Sequence, residues 1–405
     1  MRAVRIFAVS AILPAFAFLV ACGGGSSSTP ANTVTPPSSG NNVAAITVNG
    51  GPTSNYADAA FATVTVCVPG TSTCQTIDGV LMDTGSSGLR ILSSVLTIAL
   101  PQQNASDGNP VVECLPFVSG YTWGSVQTAD VEIAGEKASS TPVQVLSDSD
   151  FTAPSGCTSF GTSSDTIGNL LANGILGVGL FAQDCGGYCE VVQTAPGNPN
   201  LYYECSSSTN CQPVGESLAQ QVTNPVALFS TDNNGVIVEL PQVQGGVEAS
   251  VSGSLVFGIG TESNNALGGA TVYTADPNTG NFSTTYSGTA YTDTSFLDSG
   301  SNGYFFPSTI TQCPSGGDAP GFYCPSSTEN LSATNQGLNG ASDTVNFSVA
   351  NAESLFNVND SAIGDLGGTF SGGFDWGLPF FFGRNVFVAI QGQSTPGGTA
   401  PYWAY

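Results

Sequence analysis

Two short stretches carry side chains that could do chemistry together. VLMDTGSSGLRIL runs from Val80 to Leu92, and FLDSGSNGYFF runs from Phe296 to Phe306. Each has an apolar lead, an aspartate (Asp83, Asp298), a small hydroxyl residue (Thr84, Ser299), a glycine (Gly85, Gly300) and a serine (Ser86, Ser301). One more polar residue and a second glycine follow before bulky apolar chains return. An acid at the end of a buried-looking strand is costly on its own, because burial disfavours its charge. Two such acids brought together can share a proton, and a pair titrating in that way can act as base and acid in one reaction. A lone Asp-Ser-Gly is usually just a turn. Here the whole motif recurs, and each copy is followed at a similar distance by two apolar residues and a glycine: Ile175, Leu176, Gly177, then Phe381, Phe382, Gly383. That is the trace of an internal duplication.

Other chemistries are removed by composition. The 405-residue chain has no histidine, so Ser-His-Asp and Cys-His catalysis and imidazole-bound metals are out. Five Lys or Arg stand against 29 Asp or Glu, a formal charge of -24, and a body of that sign repels polyanions, so no nucleic-acid partner is expected. In acid the carboxylates protonate and few fixed positive charges remain to repel one another, which predicts tolerance of low pH.

The elements that must position the acids are strands. Runs such as FATVTVCV, ADVEIAG, GVIVELP and NVFVAI are punctuated by Gly, Asn, Pro and Ser, and the 51 glycines suit many turns. Helical periodicity is nearly absent; Glu216 to Val222 and the segment SSVLTIAL after the first motif are the short helix candidates. The length allows two lobes.

The amino terminus reads as an address. Arg2 and Arg5 precede an apolar run from Ile6 to Val20 that ends in LVAC, with Cys22 after a small residue. This resembles the lipobox of bacterial lipoproteins, which implies lipid attachment at Cys22, a signal over 1–22 and a membrane partner through the lipid. Residues 23–42, rich in Gly, Ser and Pro, have the composition of a tether. The other ten cysteines are an even count that suits an oxidising envelope compartment. Cys67 and Cys74 flank a turn sequence and should close a hairpin. Cys313 and Cys324 enclose a Gly- and Pro-rich loop. Cys185, Cys189, Cys205 and Cys211 allow three pairings, which sequence alone leaves open; zinc is a weaker reading for them because their spacing fits no metal knuckles.

The two Asp-Thr/Ser-Gly-Ser motifs, each with a later apolar-apolar-Gly element, resemble those of the pepsin-like aspartic endopeptidases. The resemblance implies an all-β, two-lobed fold with pseudo-twofold symmetry and a central cleft, with lobes over 43–230 and 231–405. It implies Asp83 and Asp298 as the catalytic pair, Thr84 and Ser299 as links between the turns, and Ser86 and Ser301 as donors to the outer carboxylate oxygens. Gly85 and Gly300 would keep the turns narrow. Tyr121, in YTWGSVQTADVEIAG, falls at the flap tyrosine, NGILGVGL at the element beneath the first aspartate, and FFFGRNVFVAI at the carboxy-terminal glycine-and-strand segment. A peptide or protein substrate, a monomer and neither metal nor cofactor are implied. Two departures stand out: Arg90 sits where the family has a tryptophan supporting the flap tyrosine, and Ala182 to Pro213 is a cysteine-rich insert. A fold retained as a binding or inhibitor lipoprotein is the alternative.

Overall fold

The computed structural model describes residues 40–147, 150–195, 197–358 and 360–405. Cys22 and nearly all of the tether lie outside the described residues. The first half builds β1 (Val43–Val48), β2 (Ala60–Cys67), β3 (Cys74–Asp83), β4 (Ser87–Leu92), β5 (Val111–Phe117), β6 (Gly120–Ile133), β7 (Glu136–Leu146), β8 (Gly174–Val178), β9 (Tyr202–Ser207) and β10 (Asn210–Pro213). The second half builds β11 (Gly235–Leu240), β12 (Val247–Glu248), β13 (Val251–Phe257), β14 (Val272–Thr274), β15 (Phe282–Tyr286), β16 (Thr289–Asp298) and β17 (Tyr304–Phe306). It continues with β18 (Glu329–Gln336), β19 (Ser342–Val349), β20 (Ala362–Ile363), β21 (Gly367–Thr369), β22 (Phe374–Gly377), β23 (Arg384–Ala389), β24 (Ser394–Thr395), β25 (Gly398–Thr399) and β26 (Tyr402–Ala404). The fold is all-β, as its alternating and fully apolar runs require.

A fifteen-stranded sheet runs β10-β9-β5-β6-β7-β4-β8-β3-β2-β1-β13-β11-β23-β26-β14, so the two halves share one continuous hydrogen-bonded layer. The halves join where β1 pairs antiparallel with β13, Val43 opposite Val256 through Val48 opposite Val251. A second sheet, β19-β18-β15-β16-β22-β17-β21, belongs to the second half.

The duplication is visible in the threading of two short strands. β8 lies between β3 and β4, parallel to the first and antiparallel to the second, with Asp83 opposite Gly177. β22 lies between β16 and β17 in the same senses, with Asp298 opposite Gly377. The second element is therefore Phe374 to Gly377, and this corrects the expectation that Phe381, Phe382 and Gly383 play that part. Phe381 instead closes the short 3-10 turn Leu378–Phe380 after β22. The glycine at 377 is required by contact: a Cβ there would come within 2.1 Å of the Gly303 carbonyl oxygen. An acid at 375 breaks the apolar pattern and hides the element from a sequence reading.

The ends of β3 and β8 are buried on both faces. Val80, Met82 and Leu176 join the main core, whereas Leu81 and Ile175 join a second cluster with Leu92, Leu115 and Phe117. In the second half, Phe306 stacks on Phe374 at 4.8 Å and Phe374 on Trp376 at 4.3 Å, while the Trp376 indole donates to Asn335 Oδ1 at 3.1 Å. Stacked rings bury large areas, and the one polar edge has its acceptor.

Both helix candidates fail. Only Ser93–Val95 forms a 3-10 turn in the first; β-branched Thr97 and Ile98, then Pro101, oppose continuation. Glu216 to Val222 is a run of turns, held by the Gln221 amide donating to the Gly186 and Glu216 carbonyls, because these side-chain bonds replace a helical ladder. Five disulfides form: Cys67–Cys74, Cys114–Cys157, Cys185–Cys189, Cys205–Cys211 and Cys313–Cys324. The four crowded cysteines are thus spent on two local bridges, which removes the zinc reading. Such a set is the chemistry of an extracytoplasmic, oxidising compartment. Among the described residues no helix is long and apolar enough to cross a membrane.

Buried acids mark the sheet. Glu239 on β11 lies between Ser254 and Asn385, is 5% exposed, and burial pushes its carboxyl up to about 7. Glu216 is also pushed up to about 7, by burial first and then by the charge of Glu204. A carboxyl whose folded pKa lies above its unfolded value stabilises the fold fully below the unfolded pKa, and that contribution is lost as pH rises through the folded one. The melting temperature is therefore expected to fall between about pH 4.5 and pH 8. Glu239→Gln should flatten that fall while leaving the acid value nearly unchanged; calorimetry across the range checks it, and a wild-type curve rising towards pH 8 contradicts it.

Candidate active site

Asp83 and Asp298 end β3 and β16, and the turns that follow are tied across the molecule by a reciprocal pair of bonds. The Thr84 amide donates to Ser299 Oγ at 3.0 Å, and the Ser299 amide donates to Thr84 Oγ1 at 2.9 Å. Each hydroxyl then donates onward into the opposite strand, Thr84 Oγ1 to the Leu297 carbonyl and Ser299 Oγ to the Met82 carbonyl, both at 3.0 Å. Both hydroxyls are fully used in both roles, which is why small hydroxyl residues stand at these two positions.

Each carboxylate is held in the same manner. The Gly85 amide donates to Asp83 Oδ1 at 2.8 Å and the Ser86 hydroxyl to Asp83 Oδ2 at 2.6 Å. The Gly300 amide donates to Asp298 Oδ1 at 2.8 Å and the Ser301 hydroxyl to Asp298 Oδ2 at 2.9 Å. The glycines are imposed by the opposite acid. A Cβ on Gly85 would fall 2.6 Å from Asp298 Oδ1, and one on Gly300 would fall 2.6 Å from Asp83 Oδ1. The two carboxyls are within hydrogen-bonding reach of each other. They are 3% and 4% exposed. Burial, and then the charge of Asp83, push the Asp298 carboxyl well above the usual carboxylate range. The structure thus brings together Asp83, Thr84, Gly85, Ser86, Asp298, Ser299, Gly300 and Ser301, an arrangement in which one shared proton can pass between two acids.

Tyr121 belongs to a hairpin. β5 and β6 form a hairpin with Val118 and Ser119 at its tip, Phe117 opposite Gly120 and Pro116 opposite Tyr121. Side chains alternate along a strand, so Tyr121 and Trp123 share one face and Thr122 the other. Tyr121 packs with Trp123, Cys114, Cys157 and Tyr203. Its amide donates to the Thr162 carbonyl, and its carbonyl accepts from the Ser164 amide. Phe117, at the tip, instead joins the cluster of Leu81 and Ile175 beside Asp83. The Trp123 amide donates to Asp165, its indole donates to the Phe151 carbonyl, and Cys114–Cys157 bridges β5 to the short helix α1 (Ser155–Thr158). The insert adds β9 to the free edge of β5, Val111 opposite Glu204, so that edge is paired.

Arg90 is a buried staple within this assembly. Its guanidinium donates to the Ser87 carbonyl at 2.8 Å, to Glu113 Oε1 of β5 at 3.0 Å and to Asp184 Oδ2 of the insert at 2.8 Å. Tyr202 of β9 donates to Asp184 Oδ1 and accepts from the Val222 amide. Burial alone would lower the Arg90 pKa, but Glu113 and Asp184 outweigh it and the guanidinium holds its proton more firmly. Asp184 is pushed well up, by burial first and then by Glu113. Glu113 and Asp184 escaped the sequence reading because they lie far from Arg90 along the chain. The signal available was Arg90 itself, a lone cation in an apolar strand.

A surface cleft of about 470 Å³ is lined by Phe160, Tyr203 and Asn200 among others, and neither Asp83 nor Asp298 lines it.

The chain belongs to the family described as "protein of unknown function (DUF3443)", whose model matches residues 38–405. No curated protein matches it. Among solved structures it is similar to the aspartic proteinase from Irpex lacteus, with 16% sequence identity, a TM-score of 0.49, and coverage of 89% of this chain and 96% of that chain.

Removing the guanidinium while leaving its two acids buried is expected to cost on the order of 3–5 kcal/mol. Arg90→Ala should show that loss in urea unfolding; a change below about 1 kcal/mol would mean the cluster contributes little.

Proposed function

We propose that the chain is an aspartic endopeptidase: Asp83 and Asp298 activate a water held between them and hydrolyse peptide bonds without a covalent intermediate. The observation that carries the reading is the reciprocal bonding of Thr84 and Ser299, which ties the two aspartate-bearing turns to each other. One carboxylate takes a proton from the water as it attacks the peptide carbonyl. The other gives its proton to the carbonyl oxygen, and a tetrahedral diol forms. The proton then passes to the leaving nitrogen as the diol collapses. Because the pair must keep one proton, activity belongs in acid, where the raised proton affinity of Asp298 holds it.

Digestion of a denatured protein between pH 3 and 5 tests this. Asp83→Asn is expected to lose at least about a thousandfold in kcat/KM, the scale of losing acid-base chemistry outright. The fastening of the hairpin favours a second reading, a binding or inhibitor protein on the same fold. Equal cleavage by both proteins, or cleavage by neither with tight peptide binding retained, would select it.

The address at the amino terminus completes the proposal: diacylation at Cys22 holds the folded body at a bacterial envelope membrane by the 23–42 tether. Cys22→Ser should abolish incorporation of labelled palmitate and release the protein from the membrane fraction; labelling that survives the substitution rules the anchor out.

A further inference from the structure

β22 carries an acid that a two-aspartate site leaves unused. In the first half, Leu81 of β3 pairs with Ile175 of β8, two positions before the pairing of Asp83 with Gly177. At the same rung of the second half, Phe296 of β16 pairs with Asp375 of β22, two positions before the pairing of Asp298 with Gly377. Ile175 and Asp375 are thus equivalent, and one half has replaced an aliphatic chain by a carboxyl. Paired residues share a face and every second residue returns to it. Asp375 therefore points to the same side of the sheet as Asp298, while Leu297 and Trp376 turn into the main core.

The surroundings of Asp375 offer little stabilisation for a charge: the neighbouring Ser301 hydroxyl favours it, and burial with the charge of Asp298 outweighs that. Asp375 is fully buried and neither carboxyl oxygen accepts a hydrogen bond of good geometry. β17 pairs it with Phe305, and β16 with Phe296. The Ser301 hydroxyl lies beside it but gives its proton to Asp298 Oδ2. The ionisable groups that act on it are Asp298 of β16 and Asp83 at the end of β3, both acids. Burial first, and then the charge of Asp298, push its carboxyl well up. A carboxylate in such a place is strongly disfavoured, so the group keeps its proton.

We propose that Asp375 is the third member of the acid assembly, holding its own proton behind Asp298, so that Asp83, Asp298 and Asp375 titrate as one coupled unit. Its functional consequence rests on the proteolytic reading above. Asp375 touches no substrate atom; it is a positioning residue that acts on the proton at Asp298 by charge and through the shared neighbour Ser301. In mild acid the three carboxyls hold two protons and one negative charge. As pH rises, Asp298 and Asp375 compete for the next ionisation, and whichever carboxylate forms holds the proton on the other, so the last proton of the unit leaves later than it would from a pair. The proton needed for catalysis is thereby kept to higher pH.

Two substitutions separate charge from packing. Asp375→Ile copies the equivalent residue of the first half, and Asp375→Asn keeps the shape while removing the titration. In both, the basic limb of the kcat/KM profile is expected to move towards acid by at least about half a pH unit. A limb unmoved in either folded variant overturns the proposal, and a shift common to the isosteric Asn and the apolar Ile assigns it to the lost titration rather than to altered packing. A second measurement needs no turnover: the pH dependence of melting for the wild type, Asp298→Asn, Asp375→Asn and the double variant. Coupling predicts that the single effects do not add in the double variant, and additivity overturns it. Should no Asp83-dependent cleavage exist, the proteolytic reading fails and this cycle still decides whether the three acids form one unit.

Discussion

The reciprocal bonding of Thr84 and Ser299 is the constraint on which the rest of the structure depends. It consumes four hydrogen-bonding groups from two distant segments, and each hydroxyl reaches on into the strand of the other half. Leaving any of these buried groups unpaired costs about 1–3 kcal/mol, so the two turns hold each other in place. That fixed approach is why Gly85 and Gly300 cannot carry side chains and why Asp298 feels the charge of Asp83. The threading strands β8 and β22 then back the two turns with close backbone contacts. Shared geometry of this kind lets one half of the chain supply what the other lacks.

Scarcity of cations shapes the remainder. Among the described residues the bases are Arg90, Lys137 and Arg384. Arg90 holds Glu113 and Asp184; Lys137 meets Asp130 at 3.0 Å and Glu132 at 3.2 Å; Arg384 lies over the Phe380 ring and bonds its carbonyl. Three acids buried away from these cations, Glu239, Glu216 and Asp375, hold their protons more firmly instead. An interior arranged in this way is compatible with acid and strained by neutrality, the reverse of proteins stabilised by ionised, paired carboxylates.

Much of this was legible in the residues. The two Asp-Thr/Ser-Gly-Ser motifs announced their own meeting, because the same three small residues in fixed order after an acid serve little purpose in separate turns. The hairpin bridge of Cys67 and Cys74 was legible from its turn sequence. What escaped depended on facing and register. Tyr121 stands at a suggestive place along the chain, and the alternation set by the hairpin turn puts its ring with Trp123 in the cluster of Cys114, Cys157 and Tyr203, which only the register reveals. Asp375 broke the very pattern that would have located β22, and the nearby Phe381-Phe382-Gly383 satisfied the pattern in its place. The pairing of the crowded cysteines followed from loops whose paths no periodicity encodes.

The hairpin beside the aspartates is secured along both margins. β9 occupies one edge and β7 the other, a disulfide crosses to α1, and the 162–165 segment bonds to Tyr121 and Trp123. Swinging it as a lid would tear two ladders at once, which leaves Val118 and Ser119 as the yielding part. A hairpin braced in this way behaves as part of the wall rather than as a moving flap, so its give is confined to the two residues at its tip.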